Sequence, residues 1–143
     1  MIRVPHRAIE RLQTYLVVAS GAHRVALSIS DVSMVVKRPR VHGGAVRWQD
    51  RLLPYRDMAA HLDASGAVAN TPELCAVVRL GDGEEDRFVA VGIDSTEAVV
   101  SAFPQVVPNP LRASVVQGLI VEEAGDLSLV LDLQHAFGSL AVR

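Results

Sequence analysis

Histidine, cysteine, carboxylate and hydroxyl groups at workable spacing are where protein chemistry starts, and this chain is sparing with them. Its histidines, His6, His23, His42, His61 and His135, are scattered. None belongs to an H-x-x-x-H pair or has a carboxylate at ligand spacing, so no metal site is expected. GDGEED (81–86) concentrates carboxylates but lacks the spacing and distal glutamate of a calcium loop, and reads as a solvated turn. The glycines form neither a G-x-G-x-x-G nor a P-loop pattern, and no G-x-S-x-G elbow occurs. Cys75 sits in the apolar run CAVVRL with no histidine to activate it, and reads as a small buried hydrophobe. Asp57 and Asp132 could suggest an acid–base pair, but each precedes a helical turn and is better explained as a cap. The expectation is a protein without catalysis and without a cofactor.

Charge offers a second kind of chemistry. KRPR (37–40) with Arg47, Arg51 and Arg56 makes a basic region that could face nucleic acid. Small barrels that bind single strands also use aromatic platforms. Here aromatic residues are 4% of the chain, and Trp48 and Tyr55 alone lie near the patch, so a protein partner or a solvated face fits better. Net charge is −2, but residues 1–71 hold ten basic and five acidic residues, and residues 72–143 hold four basic and eleven acidic ones. The halves therefore carry +5 and −7, a division that can orient a head-to-tail contact.

The elements that must position these groups are mostly strands. At 143 residues and 50% hydrophobic, the chain has one domain's worth of core. Its apolar runs are short, far from the roughly 20 residues of a membrane helix. The opening MIRVPHRAIERLQ lacks the apolar region of a secretory signal, so a cytoplasmic location is expected. YLVVASG and HRVALSI are rich in β-formers and are joined by a hairpin-sized Ser20-Gly21-Ala22. AVRW and DRLLPY follow, and RDMAAHLD then switches to helical spacing behind Asp57. DASGAVANTP (63–72) is the candidate link between halves. CAVVRL, RFVAVGI and TEAVVSAF are further strands, FPQVVPNPLR is a loop or edge, and GLIVEEAGDLSLVLDLQHAF closes as strand, turn, strand and helical end.

The chain repeats itself. VALSISDVSMVV (25–36) matches VAVGIDSTEAVV (89–100) at an offset of 64, with Val25/Val89, Ala26/Ala90, Ile29/Ile93, Val35/Val99 and Val36/Val100 identical. At an offset of 75, Gly43 meets Gly118, Asp57 meets Asp132, Met58 meets Leu133 and Leu62 meets Phe137. Two ordered matches predict a structural duplication, each unit being four or five short strands closed by a helical turn. A unit of some 60 residues is marginal alone, so two small barrels sharing a core are expected.

With that plan seen twice, the sequence resembles the CheW-like adaptors of bacterial chemotaxis, from about Tyr15 to Phe137. The matching pieces are YLVV-x-SG, the G-x(9)-P-x-x-D-[LM] segment from Gly44 to Met58, FVAVGID, and the closing G-[LV]…LVLDL. The resemblance implies an all-β fold of two packed SH3-like five-stranded barrels with short helical segments. Residues 14–138 would form one CheW-like domain of two intertwined barrels, between an extension (1–13) and a tail (139–143). It implies a non-catalytic scaffold coupling the cytoplasmic tips of chemoreceptors to the regulatory domain of a CheA-type histidine kinase, recruited to receptor arrays at the inner membrane. Adaptor and kinase domain would join with the barrel of one against the opposite barrel of the other. Positions matching the family's receptor face are Val32, Met34, Gly44, Gln49, Thr96 and Gly118. Read from the residues alone, Val32 is ordinary core and the glycines are turn or bulge residues.

The chain departs from the family pattern in two places. Arg47-Trp48-Gln49-Asp50 stands where the family writes asparagine-leucine-arginine-glycine, and Met34 stands where an acidic residue is common. Losing a charge-assisted donor and an acidic partner changes the polar part of the interface. One alternative is therefore an auxiliary adaptor that binds receptor but not kinase. Another, of a different class, is a small-barrel nucleic-acid binder.

Overall fold

The computed structural model describes residues 12–37, 39–63, 73–81, 86–106, 116–122 and 125–141. Two hairpins form its centre, β1 (Gln13–Ser20) with β2 (His23–Ser28), and β7 (Leu74–Gly81) with β8 (Asp86–Ile93). After β2 come a 3-10 turn (Ile29–Asp31), β3 (Val32–Lys37), β4 (Val41–His42), β5 (Ala45–Trp48), β6 (Arg51–Asp57) and α1 (Met58–Asp63). The same series follows β8: β9 (Ser95–Ala102), β10 (Gln105–Val106), β11 (Val116–Val121), β12 (Leu127–Leu131) and α2 (Leu133–Phe137). The expected GDGEED turn, the linker and the proline loop fall largely outside the described residues.

The strands form two curled sheets, ordered β10-β11-β12-β2-β1-β9 and β4-β5-β6-β8-β7-β3. This is the predicted all-β pair of SH3-like barrels, with the two-residue β4 and β10 bringing each sheet to six strands. The barrels are not the repeat units. Each takes its hairpin from one unit and its remaining strands from the other. We call β3–β8 the contiguous barrel, and β1, β2 and β9–β12 the split barrel.

Strand register preserves the duplication. The parallel pair Tyr55↔Ala90 of the contiguous barrel corresponds to Val130↔Ala26 of the split barrel, matching both offsets found in the sequence. A β-bulge recurs too: Ser33 is the extra residue where β3 pairs with β7, and Glu97 where β9 pairs with β1. One alignment shifts by a residue. The backbone N–H of Tyr55 donates to the carbonyl of Gly44 (2.8 Å), and Gly118 faces Val130, so Gly44 rather than Gly43 is the counterpart of Gly118.

Three apolar clusters explain why the hairpin strands read as unbroken apolar runs. Tyr15, Val17, Ala26, Ile120 and Val130 fill the split barrel, while Val46, Leu53, Cys75, Val77, Phe88 and Ala90 fill the contiguous one. Alternate residues of the same hairpins, including Val18, Val25, Leu27, Ala76, Val78, Val89, Val91 and Ile93, face the shared core with Met58, Leu133 and Phe137. A strand buried on both faces has no polar side to display. The helical turns close this core against each other. His61 donates from Nε2 to the carbonyl of Ala136 at 2.7 Å and stacks on Phe137 at 4.6 Å between ring centroids.

The barrels differ at one shared corner. In the contiguous barrel Trp48 packs on Phe88 (5.2 Å between centroids), and the Arg51 guanidinium lies 5.2 Å from the Phe88 centroid. The counterparts of Trp48, Phe88 and Arg51 in the split barrel are Glu122, Arg24 and Asp126. There Arg24 donates to Glu122 Oε2 from Nε (3.0 Å) and Nη2 (2.7 Å), and Glu97 lies 3.9 Å from Nη1. The hydrogen bond to Glu122 raises the Arg24 pKa further above its already high value. An aromatic cluster at one site and a charged one at the other show that the duplicated fold accepts either chemistry at this corner.

Candidate partner-binding surfaces

The residues that could have done catalysis are committed elsewhere. Asp57 Oδ1 accepts the backbone N–H of Ala60 (3.0 Å), and Asp132 Oδ1 accepts that of His135 (3.1 Å), so both are caps, as the sequence suggests. Cys75 is fully buried, and burial pushes its thiol up to about 11, away from nucleophilic use. His6 lies outside the described residues, and among those described no group of three His, Cys, Asp or Glu gathers to hold a metal.

The basic region lacks exposed aromatic platforms. Trp48 packs on Phe88, and Tyr55 packs beside it against the core of the contiguous barrel. Trp48 Nε1 and the Tyr55 hydroxyl are buried without a hydrogen-bond partner among the described residues, and burial raises the Tyr55 pKa. Both rings are half-buried against the core of the contiguous barrel.

The six positions suggested by the family pattern divide into three settings. Val32 and Met34 flank the bulge on β3, an edge strand of the contiguous barrel. Val32 is half-buried against the shared core, whereas Met34 is 47% exposed. Thr96 is the counterpart of Val32 on β9. It is exposed and lines an open cleft with Lys37, Glu73, Leu74, Asp94 and Ser95, where β9 of the split barrel meets β3 and β7 of the contiguous one. That cleft lies between the two barrels. Sequence reasoning missed Lys37, Leu74 and Asp94, because strands far apart in the chain create it.

Gly44 and Gln49 lie at opposite ends of the four-residue β5, roughly 17 Å apart at strand rise, so they do not form one patch. Both are exposed, Gly44 at φ 76° and Gln49 at φ 47°. Gln49 and Asp50 (φ 62°) form the two-residue turn between Trp48 and Arg51, with the paired positive φ of a type I′ hairpin. Gly118 is buried on β11. A Cβ there would approach the Gln105 carbonyl oxygen to 2.8 Å, so close strand packing accounts for the glycine.

The junction around the first hairpin is polar and closely tied. Asp94 Oδ2 accepts the N–H of Gly21 (2.8 Å), and buried Ser20 Oγ accepts the N–H of Ala59 in α1 (3.0 Å). Asp31, at the counterpart of Ser95, has its carboxyl pKa raised by burial and partly lowered again by Arg79.

The described residues form an intertwined pair of small barrels with an open cleft between them. The family model described as CheW-like domain matches residues 14–141, and the chain belongs to that family. Among solved structures it is similar to the scaffolding protein TtCheW from Thermoanaerobacter tengcongensis, at 14% sequence identity and a TM-score of 0.70. The match covers 89% of this chain and 93% of that one. No curated protein matches the sequence. No helix among the described residues is long and apolar enough to cross a membrane.

Proposed function

We propose that this chain is a non-catalytic adaptor that links chemoreceptor cytoplasmic tips to the regulatory domain of a CheA-type kinase, with residues 14–138 acting as one unit. The observation that carries the reading is the cleft at Thr96 between the barrels of a CheW-like domain. A receptor tip is a helical hairpin, and a groove with exposed Thr96 and half-buried Leu74 suits small and apolar helix contacts, with Met34 exposed farther along β3. Lys37, Glu73 and Asp94 at its edge supply charged contacts that fix register. The mechanism is positional: the adaptor holds the kinase domain against the tips, so that small receptor movements alter phosphorylation.

A second reading, an auxiliary that engages receptor alone, is favoured by Met34 and Gln49, uncharged residues where the family places an acid and an arginine. Isothermal titration against a receptor-tip hairpin and, separately, a kinase regulatory domain decides between them. Met34→Arg and Thr96→Arg are expected to weaken receptor binding at least about tenfold, the scale of one lost interface contact, and to leave kinase-domain binding unchanged. Unaltered receptor binding by both variants removes the groove assignment. Absent kinase-domain binding with intact receptor binding selects the auxiliary reading.

A further inference from the structure

The split barrel keeps open a corner that the contiguous barrel fills. In the contiguous barrel the Trp48 and Phe88 rings occupy it, with the Arg51 guanidinium 5.2 Å from the Phe88 centroid. At the counterpart positions Glu122, Arg24 and Asp126 carry no ring, and Leu53 gives way to the smaller Ser128. What remains is a cleft of about 470 Å³ lined by β9 and β11. Val100, Ala102 and Ile120, which pack in the split-barrel core, form its apolar part, and Glu122 and Asp126 stand beside them. Its volume lies in the range of small-molecule sites.

Two further observations say what a ligand there would carry. Three carboxylates, those of Glu97, Glu122 and Asp126, act on the one guanidinium of Arg24, an excess of two negative charges among the described residues. Carboxylates gathered at an apolar cleft hold a field that favours a cation. Ser128 lies directly across the β11–β12 pair from Ile120, so its side chain shares the inward face with that cleft residue. Its hydroxyl is fully buried and has no hydrogen-bond partner among the described residues. A buried hydroxyl without a partner costs free energy, and a polar atom entering from the cleft would relieve that cost.

We propose that this cleft is a binding site for a small aromatic amine, whose ring covers Val100, Ala102 and Ile120 and whose ammonium faces Glu122 and Asp126. Such a ligand restores in the split barrel the pairing of ring and cation that Phe88 and Arg51 make in the contiguous one. The carboxylates select the cation, the apolar lining selects the ring, and the Ser128 hydroxyl offers a partner to a ring N–H. The site uses neither the inter-barrel cleft nor a protein partner, so it stands or falls independently of the adaptor reading.

Titration of the full isotope-labelled chain with tryptamine, followed by amide chemical shifts, tests it. Indolepropionate, the same ring on a carboxylate, and ethylamine, the same charge without a ring, are the comparison compounds. Tryptamine is expected to bind with a Kd below about 1 mM and to move the amides of Ile120, Val121 and Asp126. Both comparison compounds should bind at least about tenfold more weakly. Asp126→Asn, at an exposed position that leaves the fold intact, should weaken tryptamine at least about threefold. Ala102→Leu, which fills the cleft, should abolish binding; where it loses the native circular dichroism spectrum, Asp126→Asn and the comparison compounds carry the test. No shift at about 10 mM tryptamine overturns the proposal. So do shifts confined to another face, indolepropionate that binds as well as tryptamine, or Asp126→Asn that binds like wild type.

Discussion

Asp50 shows at the residue scale how a family departure is tolerated. Its φ of 62° lies in the left-handed region where glycine is unstrained. Asp50→Gly is expected to stabilise the fold by about 0.5–1 kcal/mol, read as a shift in urea midpoint without a change in slope. A destabilised variant would mean that Asp50 makes an interaction outweighing its strain. Asp31 gives a pH-dependent counterpart. Burial raises its folded-state carboxyl pKa, so deprotonation disfavours the native state, and this cost grows as pH rises through the interval between the unfolded and folded values. Asp31→Asn should therefore stabilise the protein at neutral pH and lose that advantage below the carboxylate range. A gain that is equal at both pH values would contradict the assignment. The caps Asp57 and Asp132 were legible because a cap needs only its own helix. The exchange of Trp48-Phe88-Arg51 for Glu122-Arg24-Asp126 was not, because those residues meet only through strand pairing.

At the scale of elements, the hairpins were readable from apolar runs and short turns, and the repeat offsets survive as strand register. The swap was not visible in the strand signals themselves, because pairing partners leave no trace in local propensity. The bulges at Ser33 and Glu97 are likewise silent, since an extra strand residue looks like any other. One contact fastens the swapped elements together: Ser20 of the split barrel accepts the N–H of Ala59 at the start of α1, which follows the contiguous barrel. Ser20→Ala leaves that buried N–H unpaired and should cost about 1–2 kcal/mol. Because the two barrels share one apolar core, unfolding should remain a single transition by both tryptophan fluorescence and far-UV circular dichroism. Two separated transitions would mean that the barrels are independent.

At the scale of the whole molecule, the duplication produces two related but chemically unlike barrels, one with a basic outer face and one with an acidic cluster. The +5 and −7 charge division along the sequence does not map onto the barrels, because each barrel takes strands from both halves. The inter-barrel cleft was not legible either, because it joins β9 with β3 and β7 across the swap. Adaptor function requires that receptor and kinase be held at once, and retention of a purified kinase regulatory domain on an immobilised receptor-tip hairpin measures this directly. The account predicts retention when this chain is added and none without it. Contradiction would be a chain that binds neither partner, or one that binds each alone yet never carries the kinase domain to the receptor.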